Sequence, residues 1–149
     1  MSGVKSSEIL ELALTRYLGT EAQWCRGALS LNADGTLAEA GRGVSHCGEG
    51  ALLAAMRDLK VTRYGVVSPE SVYPELVAEI KNTLAEQNPE FVEAIRDRRY
   101  EMSIALFNDG LISMTERDGK LLLSIPGVGY QGIRTAFEKT LAKLQEAGE

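Results

Sequence analysis

The stretch Tyr100-Glu101-Met102-Ser103-Ile104-Ala105-Leu106-Phe107-Asn108-Asp109-Gly110 decides the fold class of this chain. Tyr100, Met102, Ile104 and Leu106 alternate with Glu101, Ser103, Ala105 and Phe107, a period of two that sends successive side chains to opposite faces of a strand. A helical reading competes with it, because Val92, Ile95, Met102 and Leu106 also fit a helical stripe. Asn108-Asp109-Gly110 is turn chemistry and tips the balance toward strands. Leu111 to Thr115 then reads as a second strand, Arg117-Asp118-Gly119 as a second turn, and Lys120 to Ile125 as a third strand ended by Pro126. The expectation is a three-stranded antiparallel meander.

Upstream, the hydrophobic period is helical. Leu10, Leu14, Tyr17 and Leu18 share one face of a first helix, with Ser6 or Ser7 as cap and Gly19 as stop. Ala51 to Leu59 is a second helix, whose alanines allow close approach of a neighbour. Ser68-Pro69-Glu70-Ser71 opens a third, with proline in the first turn and Val77, Ile80 and Leu84 facing inward. Asn88-Pro89 forces a bend and starts a fourth, with Phe91, Ala94 and Ile95 inward. Ile133 to Gln145 is the last helix, with Ile133, Phe137, Leu141 and Leu144 on its apolar face. Between the first two helices, Asp34-Gly35 separates residues 27–32 from residues 36–39 and predicts a hairpin. The whole reads as a single α+β domain over residues 1–149: about five helices on a small antiparallel sheet, made of the N-terminal hairpin and the C-terminal meander.

Composition fits that reading and removes several classes of function. The chain has 149 residues, 44% apolar and 25% charged, and 16 basic against 21 acidic residues give a net charge of −5. That charge disfavours nonspecific binding to nucleic acid or to an anionic membrane. No apolar run approaches the roughly 20 residues of a membrane span, and no leader sequence is recognisable. The chain is therefore expected in the cytoplasm with reduced thiols, although a Cys25–Cys47 bridge stays open on sequence grounds.

The chemically richest segment is Ser45-His46-Cys47-Gly48. A thiol at a helix N-terminus faces partial positive charge, which favours the thiolate, and His46 could serve Cys47 or Cys25 as a base with Asp109, Asn108 or Asp34 as orienter. Against that, neighbouring side chains point apart, and buried inert cysteine is the common case. Cys25, His46 and Cys47 lack the spacing of a metal site, so no metal and no cofactor is expected. Gly127-x-Gly129-x-x-Gly132 formally matches a dinucleotide fingerprint, yet too little chain follows it to complete the βαβ unit. A simpler anion cradle survives there, with Arg134, and a second one at Gly41, Arg42, Gly43, His46 and Gly48. Both are also what turns require of glycine. Arg96, Arg98, Arg99 and Tyr100 form a basic-aromatic cluster, but Asp97 and Glu101 interleave and suggest a solvated, internally paired face. Trp24 reads as a core anchor.

Trp24-Cys25-Arg26-Gly27-Ala28-Leu29, Asp34-Gly35 and Cys47-Gly48-Glu49-Gly50-Ala51-Leu52, with Phe107-Asn108-Asp109 and Arg134-Thr135 further on, resemble a family of small bacterial and phage domains of unknown function. That family's pattern runs W-[CT]-x-G-A, D-G, C-x-x-G-A-L, then a W-N-D turn before the last helix. The chain departs from it in having Phe107 for the tryptophan and a longer insertion after the turn. The resemblance carries no activity. It implies that Trp24, Gly27, Cys47, Gly50 and Ala51 belong to one structural unit.

On these grounds the first expectation is a non-catalytic binding or regulatory protein. It would act through a protein partner or a small anionic ligand at a glycine-rich helix start. The rivals are a cysteine-dependent hydrolase or transferase and a phage-type nucleotide-sensing or sequestering module. The unpaired edges of a meander favour a homodimer, with Glu101, Glu116 and Lys120 as edge-blocking charges.

Overall fold

A computed structural model describes residues 3–61, 68–97, 100–114 and 121–149. Helix and sheet are mixed, with helix dominant. Helix α1 (Ser6–Leu12) opens with the Lys5 N–H donating to Glu8 Oε2 at 2.7 Å, so Lys5 rather than Ser6 or Ser7 sits at the cap position. It continues into one wider π-helical turn over Ala13–Tyr17 and stops before Gly19, as expected. Two short strands, β1 (Ser30–Leu31) and β2 (Ser45–His46), lead to α2 (Gly48–Asp58).

Pro69 and Pro89 both open helices, but the third helix expected from Pro69 through Leu84 is broken at Tyr73. Ser68 Oγ accepts from the Glu70 N–H at the start of the one-turn α3 (Pro69–Val72). A second proline then begins α4 (Pro74–Gln87), and Asn88 separates it from α5 (Pro89–Asp97). Val77, Ile80, Leu84, Phe91 and Ile95 are buried, as the periodicity requires.

Residues 100–110 depart from the expected strand. Residues 101–103 are not part of a sheet, and Ile104–Asp109 is a helix, α6. Ser103 caps it, its Oγ accepting from the Leu106 N–H at 3.1 Å. Ile104, Phe107 and Asn108 then fall at i, i+3 and i+4, and all three are buried. Asn108-Asp109 is the last turn of this helix, and Gly110, at φ 81°, redirects the chain. The chain then forms an antiparallel pair, β3 (Gly110–Met114) with β4 (Leu121–Pro126), and not a three-stranded meander. The turn predicted at residues 117–119 lies outside the described residues.

The last helix, α7 (Gly129–Glu146), begins four residues earlier than predicted, so Gly129 and Gly132 belong to its first turn and not to a loop. It packs on α4, α1 and α6. A buried hydroxyl relay crosses the α4–α7 contact: Thr140 donates to Thr83 Oγ1 at 3.0 Å, and Thr83 donates to the Glu79 carbonyl at 2.9 Å. Most of the buried apolar side chains, from Ile9 to Leu144, form one cluster.

Candidate functional site

Four short backbone segments meet beside α2. Residues 36–38, β1, β2 and residues 24–25 lie side by side in that order. Leu31 bridges Leu37, β1 pairs with β2 through Ser30 opposite His46, and Trp24 bridges His46 in parallel. The Asp34-Gly35 turn is real, closed by the Gly35 N–H on the Asn32 carbonyl. The hairpin predicted from it is present but short, its Leu31–Leu37 bridge flanked by the Asn32 N–H on the Thr36 carbonyl and the Ala38 N–H on the Ser30 carbonyl, and a second strand partner of β1, Ser45–His46, lies in what the sequence presents as a glycine loop.

This pairing buries His46 at 1% exposure. Its Nδ1 lies 2.7 Å from Ser30 Oγ, which also accepts the Gly41 N–H at 3.0 Å, and its ring meets Tyr17 edge-on. Burial pushes the imidazole below its ordinary value, which favours the neutral ring. Tyr17 in turn donates to Asp58, and burial reinforced by that carboxylate pushes the phenol up to about 12.

Both thiols are buried. Cys47 is the cap residue of α2, and its Sγ accepts from the Gly50 N–H at 3.4 Å. Burial nevertheless outweighs the helix terminus and pushes the thiol up to about 12. Cys25 is shifted up by the same cause, and Asp109 adds repulsion to both. These shifts run against the thiolate that the sequence argument expects at Cys47. Among the described residues, the ring partner of His46 is Ser30, not a sulfur.

Asn108 is the junction of the assembly, and it is fully buried. Its Oδ1 accepts from the Trp24 indole at 2.8 Å and from the Gly48 N–H at 3.1 Å. Its Nδ2 donates to the Cys25 carbonyl at 3.0 Å and to Asp109 Oδ1 at 2.9 Å. All four hydrogen-bonding capacities of the amide are used. Asp109 Oδ1 also accepts the Gly27 N–H at 2.9 Å. Gly50 completes the unit, because a Cβ there would overlap the Leu29 carbonyl.

The two glycine cradles differ. At residues 41–50 the donors are spent internally. The Gly41 N–H goes to Ser30, Gly48 to Asn108 and Gly50 to Cys47, while Arg42 pairs with Glu39 at 3.2 Å. A Cβ at Gly43, which has φ 93°, would lie 2.5 Å from the Leu31 carbonyl oxygen, so this glycine serves close packing. In the second turn of α7, Arg134 is also committed. It donates to the Leu18 carbonyl at 2.6 Å, beside Tyr130, and pairs with Glu138 at 2.8 Å. Gly127, held against the Asn108 carbonyl, stays at the edge of an open cleft.

That cleft, of about 450 Å³, lies between the α4–α5 elbow (residues 87–91) and the β4–α7 connection (residues 125–128). Pro89, Phe91, Ile125, Pro126 and Val128 supply apolar walls, and the first turn of α5 opens onto it. The sequence pattern presents residues 87–91 only as a helix break. A helix start facing a proline-ended strand is the signal that could have found the cleft. A second hollow of about 340 Å³ collects Glu49, Glu70, Lys81, Glu101 and Ser103. Burial, then Glu70, raises the Glu49 carboxyl, while Glu70 pairs with Lys81 at 3.6 Å. Glu101, expected to block a strand edge, lines this hollow instead. Glu116, Lys120, Arg98 and Arg99 lie outside the described residues, while Arg96 and Tyr100 are exposed.

Among the described residues no group of three or more His, Cys, Asp or Glu side chains is arranged to hold a metal ion, and no helix is long and apolar enough to cross a membrane. Compared with family models, curated proteins and solved structures, the chain matches none.

Proposed function

We propose that the protein is a non-catalytic binding module whose ligand is a small molecule with an apolar body and a carboxylate or similar acceptor head, held in the cleft between the α4–α5 elbow and the β4–α7 connection. One observation carries this reading. A cavity of about 450 Å³ is walled mainly by apolar side chains, with Gln87, Asn88 and Glu90 at the elbow, and not by the cysteines or the histidine. Its size falls within the roughly 300–1,000 Å³ of small-molecule sites. Pro89 has no N–H and the Val92 N–H is bonded to the Asn88 carbonyl, so the Glu90 and Phe91 N–H groups at the start of α5 are the donors that favour an anionic or strongly accepting head. The residues with the most reactive side chains are committed elsewhere, Asn108 and Asp109 to backbone, His46 to Ser30, and both thiols to the protonated state.

Glu90 lines the same cleft and is exposed, so its charge opposes an anionic head. The test is a titration with short aromatic and aliphatic carboxylates and their neutral amides, followed by amide chemical shifts. The expected result is saturable shifts at Gly127, Val128 and the first turn of α5. E90K is expected to tighten carboxylates about tenfold while leaving the amides unchanged. Shifts absent from this cleft at millimolar ligand, or an E90K variant that leaves carboxylate affinity unchanged, would contradict the reading.

A further inference from the structure

The binding reading makes no use of the two thiols, and their placement carries an inference independent of it. Trp24 bridges His46 in parallel, and the Cys25 N–H donates to the His46 carbonyl at 3.1 Å. Cys25 and Cys47 are each the next residue along. Residues that come after a bridged parallel pair lie opposite one another on the same face, at an interstrand spacing of about 4.8 Å. A disulfide spans Cα separations of roughly 4.4–6.8 Å, which includes that spacing. Asn108 holds the register at both ends, donating to the Cys25 carbonyl and accepting from Gly48, the residue after Cys47. The sulfurs also sense one another, since charge on Cys25 raises Cys47 further.

We propose that Cys25 and Cys47 are a latent disulfide pair, closed by exchange with a low-molecular-weight disulfide, and that the bridge staples residues 24–25 to the start of α2. One protein thiolate attacks the small disulfide, forming a mixed disulfide and releasing one small thiolate. The second protein thiolate then attacks the mixed disulfide and releases the other. Two protein S–H groups are oxidised, one small disulfide is reduced to two thiols, and the two protons pass to those thiols. Burial suppresses attack in the native fold, so the exchange runs during folding or through opening, and the bridge records the redox state met at that moment.

The experiment refolds the full chain from urea through buffers of graded small-thiol to small-disulfide ratio, then counts thiols by alkylation and mass. The native chain is expected to hold the bridge at a ratio about tenfold more reducing than the chain kept in urea. C25S and C47S are expected to give only mixed disulfides at the remaining thiol. Two alkylated thiols in the folded chain at ratios where the chain in urea is bridged would overturn the proposal. Equal bridging in the two states would overturn it as well, because the fold would then contribute no placement.

Discussion

The indole of Trp24 donates to the side-chain oxygen of Asn108 at 2.8 Å across 84 residues of sequence, and this bond ties the N-terminal segment to the end of α6. The same oxygen takes the Gly48 N–H, so one buried amide joins three elements that share no local sequence.

Replacing Asn108 by Asp keeps both acceptor roles of its Oδ1. It also sets a carboxylate against the Cys25 carbonyl and Asp109, both of which now receive a hydrogen bond. The expected loss is about 3 kcal/mol of stability in urea unfolding followed by circular dichroism. W24F removes one bond and leaves Oδ1 with Gly48, so it is expected to cost about 1 kcal/mol. A neutral N108D would show that the junction is not structural.

Two glycines separate close approach from backbone conformation. A Cβ at Gly50 overlaps the Leu29 carbonyl, whereas Gly35 has φ 84° and open space around it. G50A is expected to lose about 3 kcal/mol through forced displacement, and G35A about 1 kcal/mol through the left-handed backbone alone. Comparable losses would mean that the Leu29 carbonyl does not press on α2 at Gly50.

The α4–α7 relay predicts a non-additive cycle. T83V leaves the buried Thr140 hydroxyl with no acceptor and is expected to cost about 2 kcal/mol. The double variant T83V/T140V removes both hydroxyls and is expected to recover to within about 1 kcal/mol of the parent in urea unfolding.

Stability is expected to change with pH at both ends of the range. The folded-state pKa of His46 is lowered from 6.5, so below that value the unfolded chain binds the proton more readily and stability falls as pH drops toward the folded value. Glu49, raised from 4.5, acts in the opposite sense at lower pH. The folded-state pKa of Cys47 is raised from 9.0 to about 12, so stability present below pH 9.0 is lost as pH rises through that window. The expected slope is about 1.4 kcal/mol per pH unit. Tyr17 adds to the loss above its ordinary value of 10.0. In urea unfolding across pH, C47S, which retains an oxygen to accept the Gly50 N–H, is expected to remove the Cys47 share of the loss between about pH 9 and 10 and to leave the share of Cys25, whose pKa burial also raises. H46Q is expected to flatten the acid limb near about 6.5.

The sequence made the long elements legible because their apolar residues repeat over several turns. Val77, Ile80 and Leu84 mark α4, and Ile133, Phe137 and Leu144 mark α7, while Pro69 and Pro89 fix where helices begin. Residues 104–109 are too short for periodicity to decide, since Ile104 and Leu106 alternate as well as they spiral. The decisive local signal is Ser103, a helix cap two residues after Glu101. Asn108-Asp109-Gly110 misleads because the polar residues that make an exposed turn are the same ones that can satisfy buried backbone. The pairing of β2 on the other side of β1 from residues 36–38 is not legible, because nothing local distinguishes His46 as a buried strand residue. The internal use of the Gly41, Gly48 and Gly50 N–H groups is not legible for a related reason: a glycine needed for close packing and a glycine that frees N–H groups for a ligand look alike in sequence.

Cys25, His46 and Cys47 are committed to holding backbone segments together. The rate of iodoacetamide alkylation of the native, reduced chain against pH, in C25S and C47S separately, probes that commitment. Both remaining thiols are predicted to react only as fast as the fold opens, with rates that rise in step with urea-induced unfolding and show no titration below about pH 9. A thiol alkylated rapidly in the folded chain, with a midpoint near or below neutral pH, would refute it.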